Sequence, residues 1–280
     1  MEEPESHLHP GAVHELRGVL EGIAKSQQVI VTTHSQALVN RHDFRQNLVV
    51  SEHTARPAKQ LADLRTSLGV TVADSLTAAE VVVITEGTLD RGVLPAVLTQ
   101  LDPEVTKWIS DGRVIFEAAG GCSKVQYRVH SARSIMTNPV VVLDSDPAGN
   151  ASIDKLLENG TLDQNSIVKI VRPNTKHSEL EDVFSLDAYI DALQNAIGHK
   201  LTDREKRRLD RGDLAWSERL SAILRDAGFH DIHSLEVESK RAVAGAILSA
   251  VEAGRPVVRE GCEDLLLRLI EVIRDNLQQR

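Results

Sequence analysis

Apolar and polar positions alternate along this chain in blocks that predict a sheet covered by helices, followed by helices alone. Between residues 79 and 182, short runs rich in Val and Ile alternate with segments whose apolar residues recur every three or four positions. The runs predicted as strands are EVVVIT, RVIFEA, PVVVLD and SIVKIVRP. β-Branched strands that alternate with helices are typical of a mainly parallel sheet. We therefore predict an α/β fold for this region.

The segments on either side have other patterns. Near the amino terminus, helical spacing runs from Val13 to Ala24, and a short predicted strand, QVIVTTHS, follows it. Residues 43–77 are polar and mixed, with a predicted break at ARPAKQ, so we expect a connection there. Beyond residue 182 only helical spacing remains, in FSLDAYIDALQNAIG, SERLSAILRDAG, KRAVAGAILSAVEAG and EDLLLRLIEVIRDN. These segments predict a carboxyl-terminal helical region.

The composition is typical of a globular protein with a buried core and argues against membrane and disulfide-rich classes. Hydrophobic residues make up 41% of the chain and charged residues 26%, which is enough apolar material for a buried core. No long uncharged apolar stretch and no basic-then-apolar leader is present, so we expect a cytoplasmic protein without a membrane segment. The two cysteines, Cys122 and Cys262, form no C-x-x-C pair, which argues against a zinc ribbon or a disulfide scaffold.

A net charge of −9 is unusual for a protein that binds nucleic acid, because such proteins commonly present a basic face. Divalent cations can neutralise acids that are gathered in one site, however, and a local basic run can supply a DNA contact. The candidates, in TDREKRRLDRG, are Arg204, Lys206, Arg207, Arg208 and Arg211. The commoner meaning of such a run is a solvated helix face, and that alternative stays open.

Acidic residues follow the predicted strands at three places. Glu86 directly follows EVVVIT and Asp90 lies four residues on, while Asp144 ends PVVVLD and Asp146 lies two residues beyond it. The third group, in HSELEDVF, contains Ser178, Glu179, Glu181 and Asp182. The carboxyl ends of parallel strands lie along one edge of a sheet, so the three groups can converge. Helix capping by individual acids is the alternative explanation.

Several carboxylates at one edge have a specific chemical use. Hard oxygen ligands suit Mg²⁺ or Mn²⁺. Two such ions can bind both the attacking and the leaving oxygen of a phosphoryl transfer. The sequence therefore predicts a site of two divalent ions at the carboxyl edge of the sheet.

The order of these motifs resembles a Toprim domain, the catalytic module of several topoisomerases, primases and nucleases. E-G-x-x-D follows one strand and D-x-D a later one, and Gly120 and Gly121 match the glycine turn after the second Toprim strand. The resemblance implies that Glu86 acts as an acid or base and that Asp144 and Asp146 bind metal. A topoisomerase or a primase is disfavoured, because both tyrosines lie in apolar-periodic helices and zinc-ribbon cysteines are absent.

The start of the chain resembles a second family. MEEPESHLHP is similar to the Walker B and D-loop segment of an ABC-type ATPase of the SMC/RecF kind, and VIVTTHS to its switch strand. By this resemblance Glu2 would hold magnesium through water, Glu3 would be the catalytic base, and His34 would sense the γ-phosphate. The G-x-x-x-x-G-K-[ST] loop is absent, so we expect these residues to be vestigial, or to await a missing amino-terminal ATPase portion.

An ATPase end, a Toprim domain and then helices together resemble the OLD (overcoming lysogenization defect) family of endonucleases, to which the Gabija phage-defence nuclease is related. The implied domains are residues 1–50 for the ATPase fragment, 51–78 for a connection, 79–198 for the Toprim domain and 199–280 for the helical domain. The implied activity is metal-dependent nicking or cutting of DNA, with one ion activating water and the other stabilising the leaving 3′ oxygen. Implied partners are DNA, a second copy in a homodimer and a UvrD-like helicase.

The same resemblance implies the ligands of the two Mg²⁺ or Mn²⁺ ions, with Ca²⁺ as a non-productive substitute. The implied ligands are Glu86, Asp90, Asp144, Asp146 and Glu181, and the neighbouring candidates are Ser178, Glu179 and Asp182. The family also uses a lysine near the scissile phosphate. Lys240, which opens a predicted alanine-rich helix, matches it best, and an ordinary exposed lysine is the alternative.

Two rival functions remain open. A buried strand ending in D-x-D is also found in phosphatases of the haloacid-dehalogenase type, where the first aspartate is the nucleophile. That family prefers Thr or Val two residues after the second aspartate, where this chain has Ala148. The other rival is a non-catalytic, ATPase-linked regulatory module in which the acids are structural.

Overall fold

The structure is a computed structural model that describes residues 1–40, 44–51, 54–59, 61–68, 79–134, 137–173 and 175–278. The chain forms two compact units. The first contains residues 1–79 and 107–114, and the second contains residues 80–106 and 115–280. None of the helices in the described ranges is both long enough and apolar enough to cross a membrane.

The first unit contains more regular structure than its sequence indicated. Helix α1 (Pro10–Ala24) begins before the predicted start, because proline is well suited to the first turn of a helix. The stretch predicted as a connection contains an antiparallel hairpin of β1 (Leu48–Ser51) and β2 (Thr54–Pro57), followed by α2 (Leu61–Leu68). The predicted break at ARPAKQ is therefore wrong in its first residues. Strand β2 is exposed throughout, so it has no apolar alternation to reveal it.

The predicted strand QVIVTTHS is also wrong as an extended element. Only a single parallel bridge joins Thr32 to Glu2 within this segment. The bridge consists of hydrogen bonds from Glu3 N–H to Thr32 O (2.8 Å) and from Thr32 N–H to Met1 O (3.0 Å). A β-branched run becomes a strand only where a neighbouring chain satisfies its backbone, and here that pairing is limited to one residue.

A four-stranded parallel sheet carries the candidate chemistry, which confirms the predicted fold class. It consists of β3 (Val81–Thr85), β4 (Val114–Ala118), β5 (Asn138–Asp144) and β6 (Ile167–Ile170), in the spatial order β4-β3-β5-β6. Every residue of β3 is buried, as expected for a strand covered on both faces. Strand β5 pairs in parallel with both β3 and β6, so the chain segments that follow these three strands emerge at one edge.

Helices flank the sheet and follow it along the described part of the chain. They are α3 (Thr88–Leu101), α4 (Pro103–Ser110), α5 (Val125–Ser134), α6 (Pro147–Glu158), α7 (Leu186–Ile197), α8 (Asp203–Asp210), α9 (Trp216–Asp226), α10 (Ile232–Glu252) and α11 (Glu263–Gln278). Helix α10 packs against α7 and α3, and α11 packs against α3 and β3. The carboxyl-terminal helices therefore belong to the same compact unit as the carboxyl edge of the sheet.

Helix α10 begins eight residues before the predicted start at Lys240. Its first two turns, IHSLEVES, are mostly polar, and for that reason they gave no clear helical pattern. Asp231 caps the helix by accepting a hydrogen bond from Ser234 N–H at 3.2 Å. Lys240 thus lies inside a long helix, and not at a helix start.

Candidate functional site

The first acidic segment is held by the turn between β3 and α3. The carboxylate of Asp90 accepts the Gly87 N–H at 2.8 Å, which fixes Asp90 in the first turn of α3. The backbone carbonyl of Glu86 accepts the N–H groups of both Gly120 and Gly121 at 3.1 Å. On the Glu86 side chain, Oε2 is buried and has no hydrogen-bond partner among the described residues. Glu86 thus has a fixed backbone and an unused buried oxygen.

Glycine is needed at both positions that hold Glu86, because the backbone there has positive φ angles. Gly120 has a φ of 78° and Gly121 a φ of 107°, a region that side-chain-bearing residues rarely adopt. This backbone turns both N–H groups toward Glu86, and it leads directly into a short 3₁₀ helix at Cys122–Lys124. The glycine turn anticipated from the sequence therefore lies beside the first acidic segment.

The second acidic segment forms the junction of β5 and α6. Asp146 caps α6 by accepting the Gly149 N–H at 2.6 Å, and Pro147 occupies the first helical position. Helix α6 therefore starts directly after Asp146. Gly149 is buried against the strand end, and a Cβ there would overlap the carbonyl oxygen of Asp144.

We expect Gly149→Ala to destabilise the protein by about 2 kcal/mol or more, because the added methyl group must displace the backbone of Asp144. Thermal unfolding measures this loss directly. The matched control is Gly245→Ala in α10, where a Cβ meets nothing within 4 Å. That change should be neutral or stabilise the protein by about 0.5–1 kcal/mol. Equal melting temperatures for the two variants would contradict the close approach at Gly149.

Two buried serines join the second and third acidic segments. Ser145, between the two aspartates, accepts the Ser178 N–H on its hydroxyl at 2.7 Å and donates its own N–H to Ser178 O at 2.9 Å. The hydroxyl of Ser178 in turn accepts the Arg172 N–H at 3.0 Å and lies 2.7 Å from Thr175 Oγ1. The role of Ser145 was missed in the sequence, where a small polar residue between acids is the only signal. The Ser178 hydroxyl is already used within the protein.

The third segment meets Lys240. Both oxygens of Glu179 accept hydrogen bonds from Ser217, from its N–H at 2.7 Å and from its hydroxyl at 2.8 Å. The Lys240 Nζ lies 3.4 Å from Glu179 Oε1 and 3.9 Å from Glu181 Oε2. An ordinary exposed lysine would make no such pair of contacts. The packing of α10 thus brings the predicted lysine to the acidic edge.

Asp182 is turned away from the other acids. It is fully buried, and its Oδ1 pairs with Arg219 and lies 3.6 Å from the Arg172 guanidinium. Its Oδ2 accepts the Glu179 N–H at 3.2 Å. Both oxygens are therefore engaged within the protein, and Asp182 holds the short 3₁₀ helix at Leu180–Val183 that presents Glu181.

Three of the predicted metal ligands line one small cavity. The cavity has a volume of about 10 Å³, and its lining residues are Thr85, Glu86, Asp90, Leu94, Val142, Asp144, Ile170 and Leu180. That volume corresponds to about one water-sized sphere. The apolar lining residues lower the local polarity around the carboxylates, which disfavours their charged forms.

Four carboxyl groups at this edge have raised pKa values. Burial raises the pKa of Asp144 well above its usual range, and the negative charges of Asp90 and Glu181 add to the rise. Burial also raises the pKa of Glu181 to about 8, although Lys240 opposes the shift. Burial likewise raises the pKa values of Glu86 and Asp90. These acids repel one another, so a cation placed among them would lower the free energy of the folded state.

The site fits a hard divalent cation by its donor chemistry, though it is not a closed coordination shell. Among the described residues, no group of three or more His, Cys, Asp or Glu side chains is arranged as a ready-made metal site. The unpartnered Glu86 oxygen and the raised carboxyl pKa values fit a site whose acids would be stabilised by a bound cation. Oxygen donors of this kind suit Mg²⁺ or Mn²⁺.

The basic run in α8 lies apart from this cavity's lining. Arg208 pairs with Asp226, while Arg204, Arg207 and Arg211 are exposed and Lys206 is half-buried. This arrangement is compatible with either a solvated helix face or a DNA contact.

In the first unit, the residues that resemble an ATPase motif lie close together. His34 Nε2 is 3.5 Å from Glu3 Oε1, and Glu2 forms the bridge to Thr32. Glu5, which the sequence analysis did not single out, accepts the His34 N–H at 3.1 Å and the Thr33 hydroxyl. Glu5 therefore fixes the backbone that carries His34.

Comparisons with known proteins give two similarities. Residues 1–40 match the family described as an AAA domain, putative AbiEii toxin, type IV TA system. A search of curated proteins found no match. Among solved structures, the chain is similar to the C-terminal region of the Burkholderia pseudomallei OLD protein, with 16% sequence identity and a TM-score of 0.42 over 71% of this chain and 98% of that one. The family match describes the amino-terminal segment only.

Proposed function

We propose that this chain is a metal-dependent DNA endonuclease of the OLD type, with a Toprim-like site at the carboxyl edge of the sheet. The observation that carries the proposal is the convergence of acids from three chain segments beside one lysine. Glu86, Asp90 and Asp144 line a common cavity, and Lys240 contacts Glu179 and Glu181. Structural acids at helix starts would have no reason to share a buried cavity or to keep such abnormal pKa values.

The residues that would hold Mg²⁺ or Mn²⁺ are Glu86, Asp90, Asp144, Asp146 and Glu181. When bound, such ions supply a nucleophilic water and neutralise charge on the phosphate. Glu86 is suited to accept a proton, because one of its oxygens is unpaired and burial raises its pKa. The remaining acids would be held for ligation by the turn at Gly87, the cap of α6 and the Ser145–Ser178 bonds.

Lys240 would stabilise negative charge on the phosphate. Burial alone lowers the pKa of this lysine, but the carboxylates of Glu181 and Glu179 reverse that effect and raise it above its ordinary value. The ammonium group therefore stays protonated throughout the physiological range. The attraction between this fixed positive charge and the phosphate oxygens increases as negative charge builds up on those oxygens in the transition state. The attraction is larger at a poorly hydrated site than in water.

Incubation with supercoiled plasmid and Mg²⁺ or Mn²⁺ tests the proposal. We expect nicked or linear product from the wild-type chain and a loss of at least about 100-fold in Asp146→Asn. Asparagine caps helices as well as aspartate does, so this variant keeps α6 intact while it removes a charge. Hydrolysis of p-nitrophenyl phosphate in a parallel assay would instead favour a phosphatase. Absence of both activities from a metal-loaded, folded preparation would sink the enzyme proposal.

A further inference from the structure

A positively charged face with an exposed aromatic ring lies next to the acidic edge. It is formed by Lys124, at the end of the 3₁₀ helix, and by Tyr127 and Arg128 in α5, and we call it the α5 face. Residues three and four positions apart share one side of a helix, so these three side chains lie together. The opposite side of α5 is buried through Val125 and Val129, which fixes the orientation of the helix.

Tyr127 is unusual among the aromatic residues whose burial the structure describes. Its exposed fraction is 71%, whereas the other tyrosine, Tyr189, is only 2% exposed. The chain has only 3% aromatic residues, and most of those whose burial the structure describes are buried in the core. A tyrosine ring kept in water contributes little to folding, but it offers a flat surface on which a nucleobase can stack.

The charged side chains of the α5 face are positive. Helix α5, with the sequence VQYRVHSARS, contains no acidic residue, although acidic residues outnumber basic ones by 41 to 32 in the whole chain. Across the described ranges, neither Lys124 nor Arg128 forms an ion pair with a carboxylate. Unpaired cations beside an exposed ring are the two components of a surface that binds single-stranded nucleic acid.

The α5 face is joined to the acidic edge through the glycine turn. The Lys124 Nζ lies over Gly120, 3.9 Å from the position that a Cβ would take. The Gly120 N–H donates to the Glu86 carbonyl oxygen at 3.1 Å. A phosphate held by Lys124 would therefore lie on the same side of the sheet as Glu86. Lys124 is therefore the member of the α5 face that lies beside the glycine turn holding Glu86.

We propose that the α5 face binds an unpaired DNA segment, with a base stacked on Tyr127 and the adjoining phosphates on Lys124 and Arg128. This inference deepens the proposed endonuclease function, because it assigns that site a substrate with single-stranded character. Stacking tolerates any base, so the face contributes affinity for unpaired strands without a sequence preference. A duplex, whose bases are stacked on each other, cannot use the tyrosine ring in this way.

The binding test uses the full chain in EDTA, so that no cleavage occurs. Fluorescence anisotropy compares a labelled oligo(dT) with a duplex of equal length. We expect the single strand to bind more tightly, Tyr127→Ala to weaken it by about 10-fold, and Tyr127→Phe to retain binding, since phenylalanine keeps the ring. In Lys124→Ala/Arg128→Ala, the slope of log K against log salt should fall by about 1.4, since each lost phosphate contact contributes about 0.7.

The matched control is Arg255→Ala/Arg268→Ala, which removes two exposed positive charges outside both the α5 face and the basic run of α8. It should leave the affinity for oligo(dT) unchanged if the α5 face is the site. Equal affinities for single strand and duplex, an unaffected Tyr127→Ala, or a loss of binding in the control variant equal to that in Lys124→Ala/Arg128→Ala would overturn the inference. If the protein binds oligo(dT) in a way that depends on Tyr127 but cleaves no plasmid, the binding role of the α5 face stands and the endonuclease proposal is refuted. Failure of the binding inference can therefore be distinguished from failure of the endonuclease proposal.

Discussion

Replacement of Asp144 by Asn should abolish DNA cleavage and, at the same time, stabilise the metal-free protein at alkaline pH. The loss of cleavage, at least about 1,000-fold, follows from the removal of a carboxylate oxygen donor from the lining of the acidic cavity. The gain in stability follows from the carboxylate's surroundings. Burial and the charges of Asp90 and Glu181 all disfavour the ionised form of Asp144, whose pKa is raised accordingly. Asparagine has nearly the same shape and carries no charge.

The pH dependence has a defined sign. At a pH below the unfolded-state pKa, these carboxyl groups are protonated in both states and contribute no difference. As the pH rises from there toward the folded-state pKa, the unfolded chain releases protons that the folded chain retains, so stability falls. For Glu181 this window runs from the ordinary value of 4.5 to about 8. Above that window the loss of folding stability has reached its full size, which is about 1.4 kcal/mol for each unit by which folding raises the pKa.

Thermal unfolding in EDTA at a series of pH values measures this effect. The wild-type melting temperature should fall between about pH 5 and pH 8, and the fall should be shallower in Asp144→Asn, which should melt roughly 4 °C higher at the alkaline end. Added Mg²⁺ should raise the wild-type melting temperature and leave that of the variant nearly unchanged. The control is Asp154→Asn, an exposed acid on α6. A variant that melts lower than wild type at alkaline pH would contradict the proposed repulsion.

Hydrophobic periodicity was sufficient to predict the sheet and its acids, because buried parallel strands leave a strong local signal. To predict the segment from β3 through Glu86 to Asp90, it is enough to recognise an apolar run followed by a glycine, and both are visible in the sequence. The direction of a side chain depends on tertiary partners. Glu181 and Asp182 are adjacent in sequence, yet one faces Lys240 and the other faces Arg219. No pattern within HSELEDVF distinguishes them, since the arginine lies in α9.

The same reasoning explains the other differences. The hairpin β1–β2 is short and its second strand is exposed, so it carries no apolar alternation. The start of α10 is polar, since its first turns contribute few side chains to the core, and only the cap at Asp231 marks it. Ser145 was missed because its partner, Ser178, comes from a distant segment. Local signals predict elements, and long-range contacts decide which side chains form the site.

Replacement of Lys240 by Met should lower both activity and stability, with a pH dependence that identifies the cause. The ammonium group lies 3.4 Å from Glu179 and 3.9 Å from Glu181, and each of these glutamates is less than one-tenth exposed. Methionine fills a similar volume but leaves both carboxylates without their cation. Removal of one partner from a buried ion pair costs about 3 kcal/mol, which corresponds to a drop in melting temperature of about 10 °C near pH 8.

At about pH 5 the same substitution should cost much less, because Glu181 is then protonated in the folded protein and needs no counter-charge. Lys240→Arg keeps a positive charge and should retain most of the stability, which separates the charge from the volume of the side chain. In plasmid cleavage at saturating Mg²⁺, Lys240→Met should lose about 100-fold or more, since the fixed charge beside the phosphate is gone. A pH-independent loss of stability would attribute the effect to packing of α10, and full cleavage by Lys240→Met would remove this lysine from the catalytic site.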